Sequence, residues 1–209
     1  MALHPAVVAE REERLEALVK TPTFVVVAAS LPGLFAASSL ECGLAMGVVS
    51  AVSILAALGI TRLTRRFTGA FSFLPVTLML CALVSVLMGF AVRLVDPVVY
   101  ESLGIYVWLA SLNACAMAFV ARDGFGCEGA LGSSVKTALF AAVAVLATLA
   151  FVGLVNGVLS TGVIFGLTCP ELAETPLAIF GKPAGSLLVL ALVATFVQSV
   201  CDACKGGEC

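Results

Sequence analysis

The sequence predicts an all-α membrane protein of six transmembrane helices, arranged as two inverted three-helix repeats with the first and fourth helices interrupted. Three observations carry that expectation. Six uncharged, mostly apolar runs lie between Lys20 and Glu41, Glu41 and Arg62, Arg66 and Arg93, Glu101 and Arg122, Lys136 and Glu171, and Lys182 and Asp202. Each is about as long as the ~20 residues a helix needs to cross a ~30 Å hydrocarbon core. Composition agrees: the chain is 61% hydrophobic and 11% charged, with mean hydropathy +1.16, outside the range of soluble domains. The third observation is internal similarity. Cys42-Gly43-Leu44-Ala45-Met46-Gly47 precedes the second pass, and Cys127-Glu128-Gly129-Ala130-Leu131-Gly132 precedes the fifth. Three passes separate the copies, so the two halves, about 21–96 and 97–200, would be inverted relative to the membrane.

The elements follow in order. Residues 1–20 carry seven charges from Glu10 to Lys20 and do not read as a secretory signal. With Pro5 near the start, acids early and Lys20 late, they read as a short amphipathic leader helix. The first pass holds Leu31-Pro32-Gly33 near its middle, a proline and a glycine that predict a break. The fourth carries the polar patch Ser111-Leu112-Asn113-Ala114-Cys115 at the corresponding depth. Interrupted helices meeting at mid-membrane are how many inverted-repeat proteins build a site. Asn113 and Asn156 are the larger polar residues within passes, and interhelical hydrogen bonding is the expected use of Asn156. Residues 201–209 form a Cys-containing tail.

Basic residues give an orientation. With the N-terminus inside, the cytoplasmic side receives Arg11, Arg14, Lys20, Arg62, Arg65, Arg66, Arg122, Lys136 and Lys205, and the outside only Arg93 and Lys182. That asymmetry predicts a multi-pass protein of a bacterial or archaeal plasma membrane with both termini cytoplasmic. Soluble enzyme folds are excluded. No Ser/His/Asp constellation, phosphate-binding glycine loop or nucleic-acid-binding patch stands out, and His4 is the only histidine. Charged residues sit near helix ends, which disfavours proton relay through carboxylates of this chain.

Several stretches resemble the Rnf/Nqr family of membrane proteins: Thr21-Pro22-Thr23-Phe24 entering the first pass, Leu31-Pro32 within it, and Gly43-Leu44-Ala45-Met46-Gly47. Leu103-Gly104-Ile105-Tyr106, the Asn113 region and Leu131-Gly132 continue the resemblance in the same order, from about Thr21 to Gln198. Within the family the chain is most similar to the E-type branch of the Rnf complexes, the counterpart of the D-type branch in Nqr. The inward N-terminus and Pro183-Ala184-Gly185-Ser186 favour that branch over its oppositely oriented A-type sister.

The resemblance implies a membrane subunit, not catalytic alone, of an Rnf-type ion-translocating ferredoxin:NAD oxidoreductase, either carrying electrons across the bilayer or serving as scaffold for that path. It would pair with an A-like partner within the complex and share a 2Fe–2S cluster with it. The family's cluster cysteines come from the broken first and fourth helices, and thiolates are the ligands such clusters need. At the matching positions this chain has Leu31 and Ala114. Cys115 is the nearest substitute and Cys42 a more distant one, so the expectation is little or no cluster at the core. Cys201-x-x-Cys204 is a weaker alternative metal site. Cys81 reads as a small packing residue, and Cys42 and Cys169, both expected outside, allow a disulfide. Two other functions remain open: a small inverted-repeat secondary transporter with substrate near Pro32 and Asn113, or a family member that kept the packing role and lost the iron–sulfur site.

Overall fold

The computed structural model describes residues 21–68, 72–110, 113, 131–164, 167–168, 177 and 179–206. Helix α1, Pro22–Leu34, has 13 residues and opens on a proline whose missing N–H is harmless in the first turn. At 1.5 Å per residue it extends only ~20 Å, too short to span. The helix runs through Pro32 and stops three residues beyond Leu31. Ala36 and Ala37 then donate to the Gly33 carbonyl at 3.1 and 3.0 Å. The interruption therefore lies at 35–39, one turn later than Leu31-Pro32-Gly33 suggested. Proline removes a donor to the turn before it and leaves its own carbonyl side free to continue.

Ser39 restarts the chain as an N-cap, its hydroxyl accepting from the Cys42 N–H at 3.2 Å. Helix α2, Leu40–Phe67, has 28 residues, with Glu41 in its first turn and Arg65 and Arg66 in its last, as the helix dipole favours. Helix α3 spans Phe73–Val95. Asp96 then caps the short α4, Pro97–Leu103, its carboxylate accepting from the Val98 and Val99 N–H groups at 2.9 and 3.2 Å. Gly104 ends α4 with φ +53°, a left-handed conformation that suits glycine. Helix α5, Tyr106–Leu109, follows at once.

Helix α6, Leu131–Thr161, has 31 residues. It leads through Gly162, φ +67°, into an antiparallel pair of two-residue strands, β1 Val163–Ile164 and β2 Leu167–Thr168. Val163 pairs with Thr168 and Ile164 with Leu167. Helix α7, Pro183–Gly206, closes the described chain. Among the described residues four stretches are long and apolar enough to cross a membrane: Leu40–Phe67, Phe73–Val95, Val135–Thr161 and Pro183–Ala203. The first apolar run holds the short α1 before 35–39; of the fourth, the end of α4 and α5 are described, and the Ser111–Cys115 patch, Asn113 apart, lies outside the described residues. The leader 1–20 and Cys209 lie outside the described residues.

The centre of the molecule is the α2–α6 pair, its most closely packed helices. They run antiparallel, Gly43 meeting Gly153 while Gly47 meets Leu146. A Cβ on Gly43 would lie 2.5 Å from the Leu149 carbonyl oxygen and 3.1 Å from the Gly153 Cα. Only glycine permits that approach, and small residues at helix crossings are how membrane helices gain van der Waals contact without a hydrophobic driving force. Helix α3 shows the same logic. Thr77, Cys81, Ser85 and Gly89, four residues apart, form its buried stripe, while Met79, Leu83, Leu87, Phe90 and Leu94 face outward. Cys81 is the small packing residue its sequence setting suggested. Hydroxyls in this apolar setting bond back to their own helices: Ser53 donates to the Val49 carbonyl at 2.8 Å and Thr77 to that of Phe73 at 2.7 Å.

Candidate functional site at the helix breaks

The interrupted elements come together on one side of the α2–α6 core. Helix α1 packs on α6 through Gly33, where an added Cβ would lie 2.6 Å from Leu149 Cδ1. Asn113, fully buried, donates its Nδ2 hydrogen to the carbonyl of Ala29, three residues before Pro32. This bond joins the fourth apolar run to the first across 84 positions of sequence. Asn156 on α6 does the equivalent at the end of α1. Its Nδ2 donates to the Ala37 carbonyl at 2.9 Å and to the Ser186 hydroxyl at 2.8 Å, tying the 35–39 interruption to α6 and to the first turns of α7. The Asn156 Oδ1 is buried without a hydrogen-bond partner among the described residues.

Beside these bonds lies an open depression of about 640 Å³, lined by Leu31, Pro32, Phe35, Tyr106, Leu109 and Pro183. The Phe35 and Tyr106 rings sit 6.0 Å apart at a 31° tilt, within aromatic contact range. Leu31 and Phe35, one helical turn apart, are each 40% exposed. The walls are apolar and aromatic: among the described residues the Tyr106 hydroxyl is the only side-chain polar group on the lining, and no charged side chain lines it.

The structure thus places Leu31, Pro32 and Asn113 in one neighbourhood, with Gly33 of α1 packed against Leu149 of α6. Ala114 and Cys115 lie outside the described residues. Cys42 is elsewhere: it is a free thiol in the first turn of α2, 5% exposed, with its Sγ 2.9 Å from the Ser102 Oγ of α4. The Cys169 proposed as its disulfide partner lies outside the described residues, as does Cys127. Cys201 is a half-buried free thiol late in α7, and the side chain of Cys204 is outside the description. Sequence reasoning missed the Phe35–Tyr106 pair. Its only signal was Phe35 four positions after Leu31, which places both on one helix face.

Comparison with known proteins follows from this arrangement. The model of a family described as "Rnf-Nqr subunit, membrane protein" matches residues 13–194, nearly the whole chain. The chain belongs to the Rnf-Nqr family. Among curated relatives, this Rnf-Nqr protein is 22% identical over 179 residues to the E subunit of the Na(+)-translocating ferredoxin:NAD(+) oxidoreductase complex of Acetobacterium woodii. The match covers 86% of this chain and 90% of the relative.

The donor chemistry of this Rnf-Nqr protein can now be set against the cluster that the family resemblance implies. Iron–sulfur clusters take thiolate ligands. The position matching the first family cysteine holds Leu31, whose side chain forms part of an apolar wall. Among the described residues no cysteine lines the depression, and no three His, Cys, Asp or Glu side chains gather closely enough to hold a metal ion. The residues described here do not fit the group.

Proposed function

We propose that this chain is an integral membrane subunit of an Rnf-type, ion-translocating ferredoxin:NAD oxidoreductase and acts there as scaffold for the transmembrane electron path. The family match over residues 13–194 carries this reading, and the E-type relative supports the branch. The chain is not catalytic alone. Its architecture is two inverted repeats, about 21–96 and 97–200, each an interrupted helix followed by two long ones. The α1, α2, α3 order and the α4–α5, α6, α7 order support that division, as does the antiparallel α2–α6 centre. Residues 1–20 form a cytoplasmic leader and 201–209 a cytoplasmic tail in a plasma-membrane protein, an orientation supported by the distribution of Lys and Arg.

The partner is a homologous A-like protein of opposite orientation. Leu31, Phe35, Ile105, Trp108 and Leu109 give it an apolar surface around the interrupted elements, all between 37% and 67% exposed. Purification in mild detergent tests the pairing. The expected result is co-recovery of a second six-pass protein encoded beside this chain. Recovery as a stable homo-oligomer with no such partner would favour an autonomous secondary transporter instead.

A further inference from the structure

We infer that the first interruption is tied down by the chain's own asparagine amides, Asn113 and Asn156, and that this chain supplies no iron–sulfur centre beside it. The inference rests on the Rnf-type reading, because only that reading would call for a cluster at this place.

An interrupted helix in a bilayer frees backbone groups that find no water, so something must satisfy them. A cofactor seated at the break is one solution. Here the side chains are supplied from within: Asn156 bonds the Ala37 carbonyl of the interruption itself, and Asn113 bonds the Ala29 carbonyl of α1 just before it. Both amides are fully buried. Asn156 also holds Ser186, so α1, α6 and α7 are fastened at one point. The first interruption is consequently held by groups of the chain itself.

The ligand count points the same way. Leu31 replaces one thiolate and Ala114 the other. Cys42 is bonded to Ser102 on the side of α4 and does not line the depression. The tail thiols cannot be recruited. Ser186 marks where α7 passes the interruption, and Cys201 lies 15 residues further along the same helix, roughly 22 Å away at 1.5 Å per residue. Cys115 alone would leave this chain one thiolate short of the pair it must contribute.

The test is made on the detergent-purified chain with whatever partners it retains. Electron paramagnetic resonance of the reduced sample is compared for wild type and Cys115→Ala, and thermal unfolding is followed before and after cluster stripping with ferricyanide and EDTA. The expected result is identical spectra for the two proteins and an unfolding temperature unchanged by stripping. Asn113→Ala, in contrast, should lower the unfolding temperature by roughly 5 °C without altering the spectrum. A two-iron signal present in wild type and lost in Cys115→Ala would overturn the inference, as would a large fall in unfolding temperature on stripping. Retention of the A-like partner is scored separately: its absence counts against the Rnf-type reading, while the spectra still decide the cluster.

Discussion

Gly153→Leu is expected to abolish recovery of folded protein from detergent extracts. A Cβ at this position would lie 2.5 Å from the Ser39 carbonyl oxygen and 3.0 Å from the Gly43 Cα. Both neighbours are backbone, so no side chain can rotate away, and relief requires the two central helices to separate. Overpacking a core against movable side chains already costs ~1–3 kcal/mol. Against backbone, and with three further carbons to place, the loss approaches the whole ~5–15 kcal/mol of a folded domain. The same shift would carry Ser39 away from its capping position at the start of α2. Gly153→Ala should give a graded loss of unfolding temperature. Gly59→Ala is the control: a Cβ there meets nothing within 4 Å, and replacing a glycine inside a helix gains up to ~1 kcal/mol. Monodisperse yield and unfolding temperature measure all three. Normal yield of Gly153→Leu would contradict the packing described for α2 and α6.

The second large effect is expected at Asn156. Asn156→Leu removes two hydrogen bonds, to Ala37 and to Ser186, and leaves the Ala37 carbonyl unpaired in an apolar interior. Interhelical hydrogen bonds within membranes contribute ~0.6 kcal/mol on average and up to ~1.7. With the unpaired carbonyl added, the expected destabilisation is about 1–3 kcal/mol. Asn156→Asp should be worse than leucine. An ionised carboxylate has no hydrogen to give the Ala37 carbonyl and places two oxygens of like polarity together. It also brings a charge into the membrane interior, at ~2.5–3.5 kcal/mol on insertion scales. Limited proteolysis should show cleavage near 35–39 appearing first in these variants, because that interruption loses its tie to α6 and α7. Equal stability of the leucine and aspartate variants would argue against the amide's role as donor.

The long elements of this fold are legible in the amino-acid order because lipid imposes a simple rule: a helix that spans must be uncharged for about 20 residues. Helices α2, α3, α6 and α7 follow that rule closely. Residues 21–40 follow it too, yet hold only the 13-residue α1. Hydropathy registers the chain's surroundings and is silent on where its helix stops. Pro32 signalled an interruption nearby, but the stop came after Leu34, where the carbonyl of Gly33 takes up the N–H groups of Ala36 and Ala37.

The candidate site was less legible. Asn156 was expected to bond between helices and does so, but its acceptors, a backbone carbonyl at Ala37 and a hydroxyl at Ser186, depend on how α1 and α7 pass α6. The Asn113–Ala29 bond joins residues 84 positions apart, and no local pattern announces it. The strand pair after Thr161 arises from two-residue segments too short to leave a periodic trace. The family resemblance spoke most clearly at Leu31, where it implies a thiol and the sequence has a leucine. The structure adds its surroundings: Phe35, Tyr106 and Leu109 make the same wall apolar.

The central claim, membership of a working Rnf-type complex, is tested most directly by deleting the gene and assaying washed membranes for ferredoxin-dependent NAD reduction. The account predicts that activity disappears on deletion and returns when the wild-type chain is supplied in trans. It also predicts full return with the Cys115→Ala chain, since the role assigned here is structural. Undiminished ferredoxin-dependent NAD reduction in membranes that lack the chain would contradict the account.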